Sequence, residues 1–216
     1  MVDEMKYDFS NVKAGDEIIK SREWMSPVEK KSDEAEGGCG VIGLASSVKI
    51  EGKHIYQSLR QMRNRGNGKG GGIAMVGLDH EQLRVPKDVL DNHYLIQIAY
   101  LRDCRPEVEK EFLSCFEIYK SEAVRQKSIS LDVKPPEVWR YFCQIKEASL
   151  KNFIEEKALW KMERSKAEDE FVYQNTFKLH KKFYASEGER QAFVLCHGKN
   201  MLVFKIVGYA EEVIDA

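Results

Sequence analysis

Residues 36–45 read Glu-Gly-Gly-Cys-Gly-Val-Ile-Gly-Leu-Ala, and this junction limits the fold more than any other stretch of the 216-residue chain. Upstream, residues 1–38 are charged and poor in apolar side chains, ending in Asp33-Glu34-Ala35-Glu36-Gly37-Gly38. Downstream the pattern turns apolar at once. Val41, Ile42 and Leu44 predict a buried strand over 39–46. A flexible, exposed junction therefore leads straight to a cysteine at a strand tip. The chain is expected to divide there into a leader, 1–38, and a folded part, 39–216.

Periodicity continues beyond the junction. Ile55, Leu59 and Met62 place one apolar stripe on a helix over 53–63, which the glycine-rich Asn64–Gly72 ends. A strand is expected at 73–78. Tyr94, Ile96, Ile98 and Tyr100 alternate along a third strand over 93–101. Pro106 to Tyr119 predicts a helix with Val108, Phe112, Phe116 and Tyr119 along one core-facing side. Residues 128–145 are mixed and broken by Pro135-Pro136, and 149–184 have the composition of two helices. Gln191–Cys196 and Met201–Tyr209 read as a β-hairpin turning through His197–Asn200. Helices and hairpins in this order predict an α+β fold rather than a doubly wound parallel sheet.

Charge and length exclude several functions. Thirty-four Lys and Arg against 35 Asp and Glu leave a net charge of −1, so neither nucleic acid nor a membrane surface is the expected partner. No apolar run reaches the ~20 residues needed to span a bilayer, and the N-terminus lacks a secretory signal, which predicts a cytoplasmic protein. Cys39, Cys104, Cys115, Cys143 and Cys196 are scattered without a Cys-x-x-Cys pair, so neither a zinc site nor a disulfide framework is expected. His54 and His80 read as surface residues, and His180 and His197 have no partner at metal-ligand spacing. The glycines 66–72 lack the Gly-Lys-Ser/Thr ending of a phosphate loop, since Gly70 follows Lys69.

Cys39 carries the chemistry. A cysteine opening an apolar strand is commonly a small core hydrophobe. As a nucleophile it must lose a proton first, because a free thiol titrates near ~8.5. Cleavage of the preceding peptide bond would supply a base on the same residue, an α-amine titrating at about 7.7–8.0. Gly38 and Gly40 present no side chain to hinder substrate or cleavage, and the Cys39 thiol itself could attack the Gly38 carbonyl.

The stretch CGVIGLASSVKIEGKHIYQSLRQMRNRGNGKGGGIAMVGLD, residues 39–79, resembles the start of class II glutamine amidotransferases, members of the N-terminal-nucleophile hydrolases. Four elements match in order: the Cys-Gly-Val-Ile-Gly opening, a helix bearing Leu59 and Met62, Arg65-Gly66-Asn67, and the glycine-rich entry to Gly72-Ile73-Ala74. Val138–Phe142 and GKNMLVFKIVGYAEEVID near the C-terminus look like segments of the archaeal-type glutamate synthase amidotransferase subunit. The resemblance implies that Cys39 attacks the side-chain amide of glutamine and that Arg65 and Gly66 close one side of the glutamine pocket. It implies a removable leader and part of a four-layer αββα sandwich. The reaction would release glutamate and pass ammonia to a glutamate synthase-type partner, with FMN and an iron–sulfur cluster expected only on that partner. For Arg65 the competing reading is a charge placed favourably against the helix C-terminus. Asn64 stands where the family often shows histidine or tyrosine. The family's His-Asn-Gly-Glu oxyanion segment and its Gly-Arg carboxylate segment find no match here. Residues 39–216 are therefore expected to be the N-terminal part of such a domain, completed by another chain. The alternative is a non-catalytic or degenerate binding or regulatory module of the same fold that keeps its leader; a thiol hydrolase acting on another substrate is a third reading.

Overall fold

The structure, a computed structural model, describes residues 38–66, 68–125, 135–185 and 188–215. Residues 1–37 of the expected leader, and its removal, lie outside the described residues, as does Asn67 of the Arg-Gly-Asn match.

Helix α1 (Lys53–Met62) forms where the stripe predicts and runs into a 3-10 turn, Arg63–Arg65. Leu59 is its one fully buried side chain. Strand β1 (Gly71–Val76) follows, then two short helices, α2 (His80–Leu83) and α3 (Lys87–Asn92), and strand β2 (Tyr94–Tyr100). Helix α4 (Arg105–Glu111) gives way at Leu113–Cys115 to strand β3 (Phe116–Ala123), which pairs with β4 (Glu137–Ile145). Helices α5 (Glu147–Glu156) and α6 (Arg164–Phe183) precede strands β5 (Ala192–Lys199) and β6 (Met201–Ile206), and α7 (Glu212–Asp215) ends the described chain.

Among the described residues two antiparallel sheets result: β3-β4-β2-β5 and the pair β1-β6. All seven residues of β2 are buried, so this central strand is covered on both faces. Its even-numbered residues, Tyr94, Ile96, Ile98 and Tyr100, join Leu150 and Phe153 of α5 and Phe171, Val172 and Leu179 of α6 in the larger core. On the opposite face Leu95 and Phe142 meet Leu202, Met75 and Phe204 of the two-stranded sheet. Alternation along one strand thus feeds two cores, with helices on one side and a second sheet on the other. Gly72, Ala74 and Val76, on the outward face of the two-stranded sheet, are exposed. The α+β expectation holds, with three layers seen among the described residues.

Three local expectations fail. The helix expected over 106–119 stops at Glu111, because Phe116 onward pairs with β4; Phe112 and Phe116 are buried but Tyr119 is exposed. The segment 191–209 is not one paired hairpin: β5 binds β2 while β6 binds β1, so the turn at Asn200 carries the chain from one sheet to the other. Most consequentially, residues 39–46 are not a buried strand. They run as irregular chain with Val41 91% and Leu44 54% exposed. The apolar run is real, but no strand among the described residues pairs with it.

Candidate functional site

Arg65 ends the 3-10 turn that follows α1. The turn closes when the Gly66 amide donates to the carbonyls of Met62 and Arg63, at 3.2 and 3.3 Å. Gly66 itself is extended, with φ −93°, so the left-handed backbone lies two residues on, at Gly68 with φ +69°. The Arg65 side chain is exposed, and among the described residues nothing forms an ion pair with it.

The chain beside Cys39 leans on this turn. A Cβ added at Gly40 would stand 3.2 Å from the Cβ atoms of both Arg65 and Met62 and from the Met62 sulfur. The backbone at Gly40 thus packs directly on Met62, the last residue of α1, and Arg65, the last of the following turn, and only a residue without a side chain fits there undisturbed. Cys39, one residue earlier, is an exposed free thiol. The backbone one residue after Cys39 therefore lies against the turn of Arg65 and Gly66, although the strand expected to carry Cys39 is not formed.

The remaining cysteines contrast with it. Cys104, Cys143 and Cys196 are buried, and burial pushes each thiol up from its ordinary range. Burial raises Cys115 to about 11, and its sulfur donates to the Phe112 carbonyl. A thiol held in its protonated form is a poor nucleophile at neutral pH.

The C-terminal segment matched to the family, though given no role in the site by sequence reasoning, closes the neighbourhood from behind. Tyr209 lies over the glycine turn, its ring 3.0 Å from where a Gly68 Cβ would stand. The Arg63 guanidinium stacks on that ring at 4.2 Å. The same guanidinium binds Glu211 at 2.9 Å, and Glu211 is only 4% exposed. Backbone approaches backbone here too: a Cβ at Gly71 would lie 2.4 Å from the Ala210 nitrogen. The sequence signal was present in the glycines, whose spacing reads as a turn but whose reason is the chain packed against them.

Two further clusters bring polar groups together. Glu122, Arg140, Gln97 and Cys196 are successive register partners across β3, β4, β2 and β5, forming a polar row on the face that carries Leu95 and Phe142. Arg140 binds Glu122 at 3.2 Å, while the Gln97 amide, fully buried, has no hydrogen-bond partner among the described residues. Between α6 and β5 a groove of about 330 Å³ is lined by Tyr173, Thr176, Phe177, His180 and His197. His180 Nε2 accepts from the Val194 amide at 2.9 Å, and His197 Nδ1 shares a 2.7 Å hydrogen bond with Thr176. Both imidazoles are committed to holding α6 on the edge strand, and burial pushes both down from their ordinary value. Among the described residues no group of three potential metal ligands converges. No helix among them is long and apolar enough to cross a membrane.

No protein-family model matches the chain. It is similar to an uncharacterized protein of Archaeoglobus fulgidus, 25% identical over 185 residues that cover 85% of this chain. The same match covers 43% of the archaeal protein, so the chain spans less than half the length of that relative.

Proposed function

We propose that this chain carries the nucleophile side of a class II glutamine amidotransferase site, within an N-terminal-nucleophile fold of the αββα type. What supports the reading is the packing of Gly40 on Met62 and Arg65, which brings the backbone next to the exposed Cys39 against the Arg-Gly turn named by the resemblance. The two facing antiparallel sheets with helices outside one of them suit that fold.

In the proposed reaction, removal of residues 1–38 leaves Cys39 with a free α-amine. The amine takes the thiol proton as sulfur bonds to the amide carbon of glutamine, and returns it to the departing nitrogen, which leaves as ammonia. Water then adds to the thioester, giving up a proton to the amine; the C–S bond breaks, the thiolate recovers a proton and glutamate departs. Arg65 walls the pocket in which the substrate sits. Donors for the oxyanion, each worth on the order of 10²–10³ in rate, would come from a completing chain. Ammonia would pass to a glutamate synthase-type partner, and FMN and the iron–sulfur cluster belong to that partner.

The exposed, unpaired course of residues 39–46 favours one competing reading, a binding module of the same fold that retains its leader. Intact mass and N-terminal sequencing separate the two. An active amidotransferase yields a chain beginning at Cys39 and glutamine-dependent ammonia release that Cys39→Ala abolishes. A chain that keeps its first 38 residues, with equal ammonia release in both proteins, rejects the reading.

A further inference from the structure

The segment that follows β6 turns back toward the candidate site and grips it at several points. Tyr209 covers Gly68 on one side, and its backbone amide donates to the Glu212 carboxylate at 2.9 Å. Arg63 lies between the Tyr209 ring and the buried carboxylate of Glu211, and also reaches Glu212 at 3.8 Å. Arg63 is the first residue of the 3-10 turn of which Arg65 is the last, and its carbonyl helps to hold the Gly66 amide. Arg63 and Arg65 are thus two peptide units apart in one hydrogen-bonded turn, so what holds Arg63 also holds the backbone that carries Arg65. On its other side the turn carries Gly40, and through it Cys39.

We infer that Tyr209–Glu212 is a latch that fixes the Arg63–Gly66 turn relative to Cys39, with Tyr209 and Glu211 as positioning residues of the site. The inference rests on the amidotransferase reading for its consequence in turnover, but not for the latch itself. Two features make a latch the natural reading. A carboxylate as deeply buried as Glu211 costs stability unless a charge meets it, and Arg63 meets it from a half-exposed position. The glycines at 68 and 71 leave no room for side chains where the latch lies, so the contact depends on close backbone approach.

Glu211→Gln is the gentle test, because it leaves the released Arg63 guanidinium in reach of water. Tyr209→Ala removes the stacked ring. Hydrogen exchange of the full chain reads the latch without any activity. The Gly66 amide is expected to exchange on the order of tenfold faster in both variants, with the amides of β2 unchanged. Glutamine-dependent ammonia release reads the consequence: KM is expected to rise on the order of tenfold while kcat stays within about twofold. Arg63→Lys, which keeps the charge but loses the planar stack, is expected to fall between wild type and Glu211→Gln. Unchanged Gly66 exchange in both variants overturns the latch whatever the enzyme does. Faster exchange in the variants, beside a wild type that releases no ammonia from glutamine even with its completing chain present, keeps the latch and rejects the amidotransferase reading. An active wild type whose Glu211→Gln variant shows faster exchange at unchanged KM removes the positioning role alone. If Glu211→Gln fails to fold, as loss of β2 protection would reveal, Tyr209→Ala decides by the same exchange readout.

Discussion

Individual side chains make the strongest demands around the glycine turn. Gly71→Ala would drive a methyl group into the Ala210 backbone, whose nitrogen lies 2.4 Å from that position. Backbone cannot give way as a flexible side chain does, so a loss of about 2 kcal/mol is expected in urea unfolding. Gln97 is the opposite case. Its amide is buried without a partner among the described residues, and Gln97→Met should stabilise the protein by about 1 kcal/mol in the same measurement, because an apolar side chain of similar length has nothing to satisfy. Thiols give a third test at this scale. Iodoacetamide at neutral pH should alkylate Cys39 first, with Cys143 more than about tenfold slower until the protein unfolds. Mass mapping of the labelled peptides would check the order. Cys39, Arg65 and Gly66 were named as candidates from the resemblance, which rests on a Cys-Gly opening and an Arg-Gly turn, both local patterns in the sequence; their roles belong to the proposal. Tyr209 and Glu211 were not named, because what makes them matter is a return of the chain nearly 150 residues after Arg63.

At the scale of elements, legibility followed the strength of the repeat. β2 was readable because four alternating large apolar residues leave one choice, and α5 and α6 because their compositions are helical throughout. The strand β3 was read as helix, since Phe112 and Phe116 are four apart and suit either period until β4 arrives as a partner. Pairing over a distance also explains the lost strand at 39–46. Its apolar residues fit a buried position, yet none of the described strands pairs with it. Aromatic packing between α5 and α6 is a local device with a measurable weight. Phe153 and Phe171 meet edge to face at 5.3 Å between ring centres. Phe171→Ala should cost about 3–4 kcal/mol in unfolding free energy through the cavity it leaves on β2.

Over the whole molecule, the histidines set the response to acid. Burial depresses His93, His180 and His197, so each takes up a proton in the unfolded chain before it does so in the folded one. The unfolded state therefore binds more protons as pH drops below about 6.5. Stability from these groups is complete above that value and is lost as pH falls toward the depressed folded values. Each group contributes a slope of at most about 1.4 kcal/mol per pH unit within its window. Thermal unfolding from pH 7.5 to 5 should record a falling Tm, and His180→Gln should flatten part of it while weakening the Val194 contact. The passage of the chain from β5 to β6 gives this core a reach beyond its own borders. Asn200, at φ +50°, takes the Leu78 amide on its side-chain oxygen and donates to Asp91, so the crossing is pinned on both flanks. Strand β6 leaves this anchor and ends at Ile206, three residues before Tyr209. The turn with Arg65 is thus braced from the rigid interior rather than from its own neighbours in sequence, and a loosened crossing at residue 200 would be felt as a wandering arginine at the rim.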